Sequence, residues 1–204
     1  QRVFEFLNTM NEAGTFGNFG TNWDDFRAAF QAGKVAMYMD SSAGVRGIID
    51  NAPFEVGAAY IPYADEVDRK GVVIGGASLW MSKGIAEIEQ KAAWEFMKYL
   101  TTPEVQAKWH LDTGYFAINP SAYEADIVKE AWEEMPQLKV TVEQLQSTEP
   151  SIATQGALIS VFPESRQQIV TALENLYQGM DPKEALDAAA EGTNRAIEIA
   201  NRTK

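Results

Sequence analysis

Residues 71–120 read GVVIGGASLWMSKGIAEIEQKAAWEFMKYLTTPEVQAKWHLDTGYFAINP. An apolar run, Val72–Ile74, empties into Gly75-Gly76-Ala77-Ser78 and continues to Met81 as a strand candidate. The spacing then turns helical. Ile88, Ala92, Trp94, Phe96 and Leu100 give residues 87–100 a broad apolar face. Thr102-Pro103 supplies a cap and a first-turn proline for a second helix, which carries Val105 and Trp109 and stops before Gly114. A short loop follows with Tyr115 and Phe116. Strand, small-residue turn, two helices and loop in that order predict an α/β unit.

The flanking sequence extends this pattern. Lys34–Asp40 (KVAMYMD) and Phe54–Ile61 (FEVGAAYI) are apolar runs bounded by turn residues, which predicts two further buried strands. Helices are expected over residues 1–13, from Asn22 as cap through Gln31 to a stop at Gly33, over 45–50, and over 120–135. Residues 138–146 fit strand or helix, and 147–161 read as irregular. Pro163 opens a helix running to Tyr177, and Asp181-Pro182 caps a last one reaching about Ile199. The total is helix-rich α/β.

Composition narrows the chemistry. The 204 residues carry 17 basic and 29 acidic side chains, a net charge of −12. Such a surface repels nucleic acid and offers no basic run for an anionic membrane. With no cysteine and one histidine, His110, thiolate chemistry and a histidine-rich metal site are excluded. His110 reads as a helix-terminal residue, where a cation is mildly favoured. No apolar run reaches the ~20 residues of a membrane span. The start, QRVFEFLNTM, has no lysine-rich leader with an apolar core, and it reads as the middle of a helix, as in a piece of a longer protein. EF-hand, HExxH, GxSxG, GxGxxG and Walker patterns are absent, so no enzyme, cofactor or metal is expected.

Ligands of open α/β sheets settle at the carboxyl ends of strands, which directs attention to the turns after Asp40 and Ile74. Ser41 and Ser42 offer hydroxyls and free N–H groups there, although Ser42 alone could cap the next helix. Gly75 and Gly76 let backbone pass close to another group, a ligand or a packed segment. Tyr115 presents a flat face and a hydroxyl that suit a polyol, or fills a core. Arg166 stands in the first turn of a helix, against the dipole, as an anion site would require; a salt bridge explains it equally.

Taken together, FRAAFQAGKVAMYMDSSAGVRGIID, GGASLW, KAAWEFMKYLTTPEVQAKWHLDTGYFAINPSAYE and PESR resemble the extracellular solute-binding proteins of bacterial ABC importers. The sugar-type family is the nearest, and GGAS with Trp80 and Pro163–Arg166 look like its glycerol-phosphate branch. The resemblance covers nearly the whole chain but only the C-terminal half of the family's length.

It implies a type II periplasmic-binding-protein-like fold with two hinged lobes. Residues 1–74 and 137–204 would belong to the C-terminal lobe, and 75–136 would cross to the N-terminal one. It implies ligand contacts at Ser41, Ser42, Gly75, Gly76, Trp80, Tyr115 and Arg166, with Arg166 on a phosphate. The implied partners are a small solute, glycerol phosphate or sugar, and an ABC permease, in the periplasm or outside the cell. A neutral sugar with Trp80 and Tyr115 as stacking surfaces is the alternative ligand. A carbohydrate-active enzyme and a helical adaptor are the readings from other classes. Without the N-terminal lobe, residues 75–135 should expose apolar surface, which predicts a dimer, strand exchange or loose packing.

Overall fold

The structure, a computed structural model, describes residues 1–202. Its chain divides into two compact units: Gln1–Phe30 with Ala157–Lys204, and Gln31–Gly156.

The first unit is helical. Helix α1 (Arg2–Glu12), most of α2 (Trp23–Gln31), α8 (Phe162–Tyr177) and α9 (Pro182–Arg202) compose it. Asn22 caps α2 as expected, its Oδ1 accepting the Asp24 N–H at 3.0 Å. Asp181 caps α9 in the same way, accepting from the N–H groups of Lys183 and Glu184. The short link between α8 and α9 makes them antiparallel neighbours. Their interface uses small residues: Ala172, Ala185 and Ala189 are buried with Phe4 and Leu176. The Gln168 side chain lies over Gly192, where an added Cβ would come within 2.6 Å of its Cδ. Phe16 stacks on Tyr177 with ring centroids 4.8 Å apart.

The second unit is built on α3 (Val45–Asn51), α4 (Glu87–Leu100), α5 (Pro103–Thr113), α6 (Asp126–Glu134) and α7 (Pro136–Gln146), with 3₁₀ turns at Ser42–Gly44 and Pro120–Glu124. Its core joins Ala107 of α5, Ala122 of the Pro120–Glu124 turn and Val128 of α6, flanked by Leu111, Tyr123 and Trp132. Leu138 and Val142 of α7 and Ile48 of α3 are also buried. The expected helix over 120–135 is interrupted at Ala125, which is extended (ψ 137°). Residues 138–146 are helix, and Pro136 at its first turn explains the choice over strand.

The three strand expectations need correction. Lys34–Asp40, Phe54–Ile61 and Val72–Met81 form no ladder among the described residues. A strand exists only with a neighbouring backbone, and here side chains take that place. The Ile61 N–H donates to Gln144 Oε1 at 2.6 Å, and the Val72 N–H to Thr148 Oγ1 at 3.0 Å. One backbone bond, from the Glu149 N–H to the Lys70 carbonyl, joins the third segment to residues 148–149. The runs are not buried either. Met37 is 87% exposed, and Met39, Val73, Ile74 and Leu79 are exposed as well.

Helix α4 shows the same imbalance. It spans the expected residues, yet none of its side chains is buried, and Ile88, Trp94, Phe96 and Tyr99 lie open. Its apolar stripe has no partner in this unit.

Candidate functional site

The turn after Asp40 is organised by Asp40 and Ser41. Asp40 Oδ1 accepts the Ser41 N–H at 2.6 Å, and Oδ2 accepts the Tyr38 hydroxyl at 3.3 Å. The cap of the following 3₁₀ turn is Ser41, whose Oγ accepts the Ala43 N–H at 3.4 Å. Ser42 is therefore not the cap. Its half-buried hydroxyl makes no hydrogen bond among the described residues and stays available to a ligand.

Tyr115 comes to the same corner. Helix α5 ends at Gly114, which takes the left-handed conformation (φ 78°) and returns its N–H to the His110 carbonyl. A Cβ on Gly114 would meet Val45 Cγ1 at 3.3 Å and Arg46 N at 3.4 Å, so the loop lies against the start of α3, three residues beyond Ser42. The loop backbone is satisfied by side chains. Thr113 Oγ1 accepts the Tyr115 N–H, the Tyr123 hydroxyl accepts the Ala117 N–H at 2.8 Å, and Gln106 Oε1 accepts the Ile118 N–H at 2.8 Å. With its backbone fixed, Tyr115 leaves its ring 49% exposed.

His110 lies in the last turn of α5, as expected, but it is fully buried there and is no cation favoured by the helix dipole. The Trp132 indole N–H donates to its Nε2 at 3.2 Å. Indole nitrogen only donates, so Nε2 must accept, and the proton sits on Nδ1, which donates to the Tyr115 carbonyl at 2.7 Å. The ring also meets Tyr123 and Trp132 edge-on, and those two stack on each other. Burial pulls its pKa below the ordinary 6.5, partly offset by the bond to Tyr115. The Trp109-His110 dipeptide was the only sign of this cluster in the sequence, because Tyr123 of the Pro120–Glu124 turn and Trp132 of α6 join it by packing on α5.

A depressed folded pKa means that the unfolded chain binds the extra proton first. Stability from neutral His110 is therefore complete above about pH 6.5 and falls as pH drops below it, levelling off past the lowered folded value. Urea midpoints between pH 5 and 8 should decline on the acid side in the wild type. They should decline less in His110→Asn, which has no titrating imidazole. Parallel curves would remove His110 from the cause.

The remaining candidates are more open. A Cβ built at Gly75 or Gly76 meets nothing within 4 Å, and Trp80 is 88% exposed. No hydrogen bond or ring contact joins them to the Ser42–Tyr115 corner among the described residues. Arg166 belongs to the other unit. Helix α8 starts at Phe162, one residue before Pro163, so Arg166 is its fifth residue and lies beyond the first turn. The salt-bridge reading fails, since Arg166 makes no ion pair among the described residues. Its exposed guanidinium sits 6.0 Å from the centroid of Phe162 instead. No cluster of metal-ligating side chains occurs among the described residues.

Comparison with known proteins adds relatives to this geometry. The model of the bacterial extracellular solute-binding protein family matches residues 1–137. The sn-glycerol-3-phosphate-binding periplasmic protein UgpB of Pectobacterium atrosepticum is 34% identical over 198 residues, covering 95% of this chain and 44% of the relative. Its counterpart in Yersinia enterocolitica is 34% identical over 188 residues, covering 91% and 43%. Among solved structures, UgpB from Mycobacterium tuberculosis in complex with glycerophosphocholine is similar with a TM-score of 0.70 and 24% identity. That likeness covers 88% of this chain and 44% of the other. The chain spans less than half the length of the curated relatives it matches.

Proposed function

The chain belongs to the bacterial extracellular solute-binding protein family, and on that premise we propose that it supplies the C-terminal part of an ABC importer's substrate receptor. Its fold is the type II periplasmic-binding-protein-like one, as the likeness to the solved structure shows. The receptor works outside the cytoplasmic membrane. It closes on glycerol-3-phosphate or a glycerophosphodiester and passes the solute to the permease without making or breaking a bond. A cleft of this kind is completed by an N-terminal lobe. In this reading residues 75–136 cross toward that lobe, while 1–74 and 137–204 remain with the C-terminal one.

The observation that carries the reading is Arg166. In a chain with 29 acids against 17 bases, its exposed guanidinium has no carboxylate partner among the described residues. A planar fork of donors left free suits a bidentate phosphate. In the other unit, Ser42 and Tyr115 offer a hydroxyl and a ring of the kind that suits a polyol, and Gly75 and Gly76 admit close backbone approach. The names of the relatives, glycerol-3-phosphate and glycerophosphocholine binders, agree with a phosphate ligand. The unpartnered face of α4 and the open runs around Met37 and Ile74 are the surface that the N-terminal lobe would cover. Released from it, the piece would dimerise or pack loosely there.

A neutral sugar is the second reading, and the exposure of Trp80 beside that of Tyr115 favours it as a pair of stacking surfaces. Calorimetry of the full-length protein decides between them. The phosphate reading expects sn-glycerol-3-phosphate or glycerophosphocholine to bind with micromolar or tighter affinity and maltose to give no heat. Binding of maltose alone would reverse the assignment.

A further inference from the structure

His110 is buried among apolar and aromatic groups, yet nothing in solute capture requires a histidine there. Its two nitrogens are committed in opposite senses. Nε2 accepts from the Trp132 indole, and Nδ1 donates to the Tyr115 carbonyl. The residue whose carbonyl is held is the one whose ring stands exposed at the corner with Ser42. The other anchors of this loop act on Tyr115, Ala117 and Ile118 through their N–H groups, apart from a long 3.5 Å bond from the Tyr123 hydroxyl to the Ala117 carbonyl. His110 alone is seen to hold the Tyr115 peptide by its oxygen, and that bond fixes the plane of the Tyr115–Phe116 peptide.

We infer that His110 is a positioning residue for ligand capture: through the Tyr115 carbonyl it sets the direction in which the Tyr115 ring faces the cleft, and Trp132 holds the imidazole in the tautomer this requires. The inference rests on the proposed place of Tyr115 in the solute site. It differs from a filling role in the core, because a filling role depends on the volume of the ring and not on which nitrogen donates.

Two substitutions separate these roles. Asparagine places its amide N–H near the position of Nδ1 and keeps the bond to Tyr115 while abandoning Trp132. Glutamine reaches to the position of Nε2, keeps a partner for the indole, and abandons Tyr115. Amide hydrogen exchange over residues 114–118 in the full-length protein, without ligand, gives the first readout. Exchange should stay close to wild type in His110→Asn and accelerate about tenfold in His110→Gln, the scale of one lost hydrogen bond. Affinity for glycerophosphocholine should follow the same split, about tenfold weaker only in the glutamine variant. Trp132→Phe keeps an aromatic ring against Tyr123 but removes the indole N–H that selects the tautomer, so it should accelerate the loop's exchange measurably, a check that does not depend on the folding of the histidine variants. Equal acceleration in both histidine variants, or none in glutamine, would overturn the inference. If the wild type binds no glycerophosphodiester, the proposed function fails, and the exchange comparison still decides the role of His110.

Discussion

Arg166→Ala should weaken binding of sn-glycerol-3-phosphate to the full-length protein at least about 100-fold, within the range for losing one partner of a desolvated charge pair. The physical case starts from the field of the chain. A net charge of −12 repels a phosphate at long range, so capture needs a local cation whose charge is not already spent. Many of the basic side chains are spent: Lys91 pairs with Glu87, Lys98 with Glu95, Lys108 with Asp112, and Arg195 with Glu191. Arg166 keeps its full donor fork and lies on a rigid sixteen-residue helix, which reduces the ordering cost of binding. Closure of a cleft would then remove water from the pair and strengthen it. Arg166→Lys should recover only part of the loss, because an ammonium is a point charge and cannot make the bidentate contact. Calorimetry on the two variants tests both statements. Wild-type affinity in the alanine variant would show that the phosphate, if bound, sits elsewhere.

The second large effect falls on stability. Gly71→Ala should cost roughly 3–5 kcal/mol, the sum of backbone strain and overpacking. Gly71 has φ 108°, outside the range that L side chains adopt readily. An added Cβ would also lie 2.6 Å from Thr148 Cα, which is backbone and cannot swing aside. Thr148 is itself fixed, its Oγ1 donating to the Gln144 carbonyl at the end of α7 while accepting from the Val72 N–H. Relief of the clash would therefore strip segment 70–73 from α7. Gly76→Ala is the control. It has ordinary φ and open space, so its unfolding free energy should change by less than about 1 kcal/mol. Urea denaturation of the full-length protein measures both, and similar values for the two would refute the account.

Much of the helical framework was legible because its signals are local. Asn22 and Asp181 cap from adjacent positions, Gly114 and Gly179 carry the positive φ that ends a helix, and the apolar spacing of residues 87–100 marks α4 to the residue. The strand expectations had the same local basis and failed in this chain, because a ladder needs a neighbour that no local pattern supplies. The candidate site divided along the same line. Arg166 and Tyr115 stood out by residue type and setting. The replacement of Ser42 by Ser41 as cap depended on an oxygen-to-nitrogen distance, and the committed state of His110 depended on Trp132 of α6 and the Tyr115 carbonyl meeting its two nitrogens.

The sequence by itself determined the family, most of the helices and the exclusion of thiolate and histidine-cluster chemistry, since caps, periodicity and residue types are properties of neighbours along the chain. Only the tertiary structure decided that His110 is neutral and holds Tyr115, that Ser42 is left unbonded, that Arg166 has no carboxylate partner among the described residues, and that α4 keeps its apolar face open. Each of these depends on which groups distant in the chain meet or fail to meet. Hydrogen bonds, ion pairs and burial act over a few ångströms of space, and sequence separation does not measure that distance.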